Sequence, residues 1–331
     1  MTRLSDIRFS TLDLAPIRDD GNPAQALHAS LALAQHVERL GFERFWVAEH
    51  HNMDGIASSA TAVLIGYLAG GTSRIRVGAG GVMLPNHSPL VIAEQFGTLE
   101  ALYPGRIDLG LGRAPGADQF TARALRRDRL GSAEDFPSDV EELEFLLGPR
   151  QEGQRVIAMP GVDSRVPIWL LGSSLFSAQL AAAKGLPYAF ASHFAPRYVH
   201  EAIRLYRENF KPSAVLDKPY VMLGVPLLAA DSDERAEYLA TSVFQRILAL
   251  IRGQSLVMRP PVRSMKDLWL PHEQEAVGSF LGMAVIGGPE KVRARLEVIL
   301  EQTGADELIF TCDFYDPADR HRSFEIAAGL R

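Results

Sequence analysis

The polar residues able to do chemistry gather in a few short stretches. Glu49-His50-His51-Asn52 sets a carboxyl and two imidazoles at the end of an apolar run. A histidine there suits general-base work, because its ordinary pKa lies near neutrality. Neighbours on a strand point to opposite sides, so only one of His50 and His51 faces a given site unless the chain turns. The structural alternative for either is an imidazole satisfied by a backbone carbonyl. Gly172-Ser173-Ser174 directly precedes a helical pattern, and backbone N–H groups at a helix start, with hydroxyls beside them, attract an anion. Arg113 could fork a phosphate at the same place; a plain serine N-cap is the competing reading. Gly80-Gly81 interrupts an apolar run, where a flat ring could approach the backbone with Val82 and Met83 beside it, or where the strand simply bulges.

Two other chemistries compete. His50, His51, His87 and His193, with Glu49 or Asp13, could build a nitrogen and oxygen metal site for a hydrolase. No His-x-His or cysteine pair forces such ligands together. Gly110-Leu111-Gly112-Arg113-Ala114-Pro115-Gly116 superficially resembles a dinucleotide loop, but the glycine spacing is wrong and Pro115 intrudes.

These stretches must be positioned by regular elements, and strand and helix patterns alternate along the chain. Strands are expected at Ile7–Leu14, Phe42–Glu49, Ile75–Leu84, Ile107–Leu111, Pro167–Leu171, Tyr188–Ser192, Tyr220–Leu228 and Glu307–Cys312. Helical patterns separate them: one opened by Pro23 and stopped by Gly41, then Ser58–Gly70, Pro89–Leu102, Pro137–Leu147, Ser173–Lys184, Pro196–Phe210, a helix capped by Asp231 and running to Ile251, one from Pro289 to Gln302, and Pro317–Gly329. Eight such units, several with continuous apolar strands, predict a single α/β domain, a closed (β/α)8 TIM barrel over residues 1–331; a doubly wound sheet is the alternative. Insertions follow strands four and seven. Residues 252–279 show no regular pattern and read as a mobile lid or loop.

Of 331 residues, 47% are hydrophobic, enough for one large core, and the net charge is −6. A weakly acidic chain has no electrostatic footprint for nucleic acid or for an anionic membrane surface. Cys312 is the one cysteine, so no disulfide framework or cysteine zinc site can form. The first residues lack the apolar core of a signal peptide and no run reaches spanning length, so a cytoplasmic protein is expected.

In a barrel, function sits at the C-terminal strand ends, where all the stretches above fall. Ala48-Glu49-His50-His51-Asn52, Gly80-Gly81-Val82-Met83-Leu84-Pro85 and the run from Gly105 to Arg113 together resemble the bacterial luciferase-like flavin-dependent monooxygenases. The resemblance covers essentially the whole chain. It implies a barrel that uses reduced FMN and O2 on a small, apolar organic substrate such as an aldehyde. A separate NAD(P)H:flavin reductase would supply the flavin. His50 matches the family's catalytic histidine. Gly80-Gly81 matches a non-prolyl cis peptide lying against the flavin ring, and Arg113, Ser174 and Ser177 match its phosphate contacts. With the residue-level reading, the cofactor-binding set becomes Glu49, Gly80, Gly81, Val82, Arg113, Gly172, Ser173, Ser174 and Ser177. One departure stands out: Gly112 occupies the place of a reactive cysteine in the luciferase α-subunit. Within the family, hydride transfer with the deazaflavin F420 and flavin binding without turnover are the alternatives. A homodimer is expected through the helices after strands two and three, where Ala60, Ala62, Gly66, Ala69 and Gly70 are small. Met83, Phe194 and Val225 are the expected pocket lining.

Overall fold

The computed structural model describes residues 3–114, 119–125 and 134–331. Nine strands form one sheet: β1 (Arg8–Asp13), β2 (Arg44–Val47), β3 (Arg76–Met83), β4 (Ile107–Gly112), β5 (Ile168–Gly172), β6 (Tyr188–Phe190), β7 (Val221–Ala229), β8 (Val285–Gly287) and β9 (Glu307–Thr311). The spatial order is β6-β5-β4-β3-β2-β1-β9-β7-β8, and β6 also pairs with β7. Eight parallel strands therefore close into a barrel, with β8 as a short addition on β7. The helices are α1 (Pro23–Arg39), α2 (Thr61–Gly70), α3 (Pro89–Leu102), α4 (Gln119–Leu125), α5 (Phe136–Leu147), α6 (Leu175–Lys184), α7 (Val199–Asn209), α8 (Asp233–Ile251), α9 (Pro271–Phe280), α10 (Pro289–Thr303) and α11 (Pro317–Ala328). None of them, among the described residues, is long and apolar enough to cross a membrane.

Local chemistry starts each unit. Asn22 caps α1 by accepting from Gln25 N at 3.0 Å, and Gln25 Oε1 accepts from Asn22 N at 3.0 Å. That reciprocal box, with Pro23 at the first helical position, satisfies donors that the helix start leaves open. The cap of α8 is Ser232, not Asp231: its hydroxyl accepts from Arg235 N at 3.2 Å. Residues 252–279 are more regular than the sequence suggests. Pro271 opens α9 instead of breaking structure, and Glu273 accepts from Leu270 N and from Arg252, each at 2.7 Å. Val285–Gly287 is too short to stand out as a strand pattern. The insertion after β4 lies largely outside the described residues, with α4 inside it.

The barrel interior is layered. At the N-terminal ends, Arg44 donates to Asp108 at 2.8 Å and to Glu307 at 3.0 Å; Arg76 donates to Asp108 at 2.6 Å and Tyr220 to Glu307 at 2.8 Å. Above them Leu12, Trp46, Trp169, Met222 and Ile309 fill the middle. Outward residues such as Phe9, Val77, Leu109, Leu223 and Val225 join the helices in the main apolar cluster. Val225 thus lines no pocket: with a period of two, Gly224 and Pro226 face inward instead. Toward the C-terminal ends inward positions are small, including Gly110, Gly112 and Gly224, which leaves that face for other groups.

Candidate active site at the strand ends

The end of β2 is tied down by two loops. His50 N donates to Ser58 O at 3.0 Å, and Asn52 turns the chain with a φ of 56°. The two imidazoles diverge. His51 folds back so that its Nε2 lies 2.9 Å from Glu49 Oε1, and His87 Nε2 lies 2.7 Å from the same oxygen. Met83 N donates to Glu49 Oε2 at 3.3 Å. Glu49 is fully buried. Burial, the largest single influence, would raise its pKa, but the hydrogen bonds and charge of His87, then of His51, outweigh it and hold the carboxyl below its ordinary value. Among the described residues Glu49, His51 and His87 are also the grouping whose donor atoms, all within 4.8 Å, could chelate one ion. His50 and His193 are not part of it, so the four-histidine metal site does not form.

His50 turns the other way, toward Arg246 of α8. Burial, then the Arg246 charge, pushes its pKa down to about 4. His193, beyond β6, is likewise pushed to about 4 by burial. Both are neutral at pH 7. Arg246 Nη1 donates to Asp313 Oδ2 at 2.6 Å. His193 sits where Gly224 has no side chain: a Cβ there would lie 2.3 Å from His193 Nδ1. Among the described residues, His50 Nδ1, His193 Nδ1 and Arg246 Nη2 are buried without a hydrogen-bond partner. Asp313 lies two residues past the end of β9 and could have been found by the strand-end rule. Arg246, in the middle of a helix, carried no such signal.

Across the mouth, Ser174 is the N-cap of α6, with an extended backbone and no side-chain capping bond. Its hydroxyl is therefore not spent on the helix. The Arg113 guanidinium lies 4.2 Å from the centre of the Phe176 ring, in the first turn of α6. Ser177 is buried against Gly172. The structure thus brings Arg113, Gly172, Ser173, Ser174 and Ser177 to one helix start.

The peptide bond between Gly80 and Gly81 is cis. A Cβ on Gly81 would lie 2.7 Å from Gly110 O, and one on Gly80 would lie 2.8 Å from Leu12 Cδ1. Close packing against the Gly110 backbone, and not only room for a ligand, thus requires Gly81, while the contact at Gly80 is with the end of a flexible side chain. The Val82 side chain is buried in the main cluster, leaving its backbone for the mouth. Phe194 is exposed and meets Phe280 of α9 edge-on at 6.1 Å, so α9 borders the same face. Cys312 is buried, as a small core residue.

The family description luciferase-like monooxygenase matches residues 7–307. The chain belongs to this family. It is 53% identical over 325 residues to a luciferase-like monooxygenase of Escherichia coli (strain K12), covering 98% of this chain and 97% of that one. It is 40% identical over 237 residues, 70% of each chain, to N-acetyl-S-alkylcysteine monooxygenase of Bacillus subtilis (strain 168). Among solved structures, apo-MsnO8 is 36% identical, superposes with a TM-score of 0.92 and is covered over 98% of both chains. Two more distant structures share the fold alone: the oxygenating constituent of 3,6-diketocamphane monooxygenase in complex with FMN, at 17% identity and a TM-score of 0.74, and an F420-dependent secondary alcohol dehydrogenase, at 15% and 0.68. Membership in the luciferase-like monooxygenases supports an oxidoreductase.

Proposed function

We propose that this luciferase-like protein is an FMN-dependent monooxygenase acting with O2 on a small organic substrate, fed with reduced flavin by a separate NAD(P)H:flavin reductase. The observation that carries the reading is one face holding two complementary sites: a helix start beside Arg113 suited to an anion, and a neutral, half-buried His50 across the mouth. The residues fit the cofactor. Arg113, Gly172, Ser173, Ser174 and Ser177 would hold the phosphate through backbone N–H groups, hydroxyls and a guanidinium. Backbone of Gly80, Gly81 and Val82 would border the ring. Glu49 acts by holding: through His51, His87 and Met83 N it joins the ends of β2 and β3 that flank the ring. When bound, reduced FMN supplies the electrons for activating O2. His50, uncharged at neutral pH, accepts a proton from the substrate side and returns it as product forms. The segment 252–279, with α9 at the mouth, would shield the reaction from water.

The protein would act in the cytoplasm as a homodimer. Ala69 is buried within the protomer, Gly66 packs on Leu99, and Gly70 faces Tyr103, so these residues serve contacts between α2 and α3. The apolar residues left exposed there are Val63, Tyr67, Val91 and Leu102, which favour the same face for a partner copy. A sedimentation mass of one chain at micromolar concentration would exclude that assembly.

The decisive experiment is anaerobic titration with oxidised and reduced FMN, followed by oxygen. Reduced FMN should bind more tightly, and mixing with O2 should give an absorbance transient whose decay changes in His50→Ala. FMN affinity in that variant should stay within about twofold, while turnover falls roughly 10²–10⁴-fold. Failure of both FMN forms to bind, with binding of F420, would replace this reading by hydride transfer.

A further inference from the structure

Among the described residues, three buried polar atoms at this end of the barrel lack partners: His50 Nδ1, His193 Nδ1 and Arg246 Nη2. Arg113 and the start of α6 belong to the β4–β5 side of the barrel. Arg246, Asp313, His50 and His193 come from α8 and from the ends of β9, β2 and β6. A buried N–H left unpaired is costly, and more so on a charged group. Native proteins rarely keep one without a bound group to meet it. The Arg246 side chain is only 8% exposed. Its Nη1 is spent on Asp313, which fixes the guanidinium plane, while Nη2 remains unpaired among the described residues. His50 is near enough to feel the Arg246 charge, and His193 feels Asp313 and His50, so two imidazoles border the pair. Asp313 takes one edge of the guanidinium, and the unpaired Nη2 leaves the other edge of this buried cation to meet a further acceptor, best an anionic one.

We infer that Arg246, held by Asp313, receives a carboxylate on the substrate and makes this enzyme selective for small organic acids over their neutral counterparts. The inference rests on the reading of the face as a flavin monooxygenase site and supplies the substrate class that reading lacks. Arg246 Nη2 donates to the carboxylate. His50 and His193 flank it, so the carbon or sulfur to be oxygenated extends toward Gly80-Gly81. The relative that acts as an N-acetyl-S-alkylcysteine monooxygenase is consistent with such a class, since that compound carries a carboxylate and a thioether.

The test is equilibrium binding to the FMN-loaded protein, with no turnover needed. Octanoate and N-acetyl-S-methylcysteine are each compared with their methyl esters. Each acid should bind at least tenfold more tightly than its ester. In Arg246→Gln that preference should collapse to below about threefold, with ester affinity and FMN affinity within twofold of wild type. Arg246→Lys, which keeps the charge and shortens the reach, should retain part of the preference, and it serves as the readout if the glutamine variant does not fold. Equal binding of acid and ester by the wild type, or an unchanged preference in both variants, overturns the assignment. If the acids bind selectively to a protein that takes up no FMN, the carboxylate site stands and the flavin reading falls.

Discussion

His87 Nε2 lies 2.7 Å from Glu49 Oε1, although the two residues are 38 positions apart. This contact ties the turn after β3 to the end of β2, and His51 shares the same oxygen at 2.9 Å. Replacing the carboxylate removes an acceptor that two imidazoles and one backbone N–H use. Glu49→Gln should cost about 1–3 kcal/mol in stability and weaken FMN binding, because the Gly80-Gly81 segment loses its anchor. Urea denaturation and flavin titration would check both. Unchanged values would show that the network is dispensable.

Arg113 is placed against the first turn of α6 by its contact with the Phe176 ring, 4.2 Å away. A charge-assisted bond to phosphate contributes roughly 1.5–3 kcal/mol. Arg113→Ala should therefore raise the FMN dissociation constant about 10–100-fold and leave that of riboflavin, which has no phosphate, nearly unchanged. An equal loss for both flavins would move the phosphate site elsewhere.

The acid limb of stability follows from histidines that are neutral in the fold. Burial pushes His193 to about 4. Burial, then the charge of His36 stacked 4.4 Å away, pushes His321 to about 4. In the unfolded chain both titrate near 6.5, as ordinary histidines do. Between those values the unfolded state binds more protons, so stability is intact above pH 6.5 and is lost as pH falls toward 4. The unfolding free energy from urea denaturation should drop by about 1 kcal/mol for each such histidine between pH 6 and pH 5. His321→Leu should make that slope visibly shallower; an identical slope would show that this pair does not set it.

The base of the barrel gives a prediction separate from chemistry. Arg44 stands between Asp108 at 2.8 Å and Glu307 at 3.0 Å, all three essentially buried. Arg44→Met leaves two carboxylates without their shared cation, a change that typically costs about 3–5 kcal/mol. Flavin affinity of the folded variant should be unaffected, since the site lies at the opposite end. A cost below about 1 kcal/mol in chemical denaturation would mean that Arg76 alone can neutralise Asp108.

Much of this was legible in the residues themselves. Continuous apolar strands, helices opened by Pro23, Pro89, Pro289 and Pro317, and glycine stops dictate eight alternating units, because local propensity and burial pattern agree over each. Strand-end position alone pointed to Glu49, His50, Arg113 and Ser174. Short or masked signals were harder. Three residues, Val285–Gly287, are too few to show a period, and Pro271 looks the same whether it breaks a chain or begins α9.

Partnership was decided only in three dimensions. The sequence places His50 and His51 side by side; the fold brings His51 to Glu49 and His50 toward Arg246. Nothing local marks Arg246, because a charged residue inside an amphipathic helix ordinarily faces water. Closure of the barrel brings α8 against the end of β9, so that Arg246 is buried on Asp313, 67 positions away. Likewise Gly224 becomes meaningful only when His193 fills the space of its missing side chain. Periodicity is a local property that a sequence carries openly. Which buried group meets which depends on the ring of strands closing, and that is a property of the whole chain.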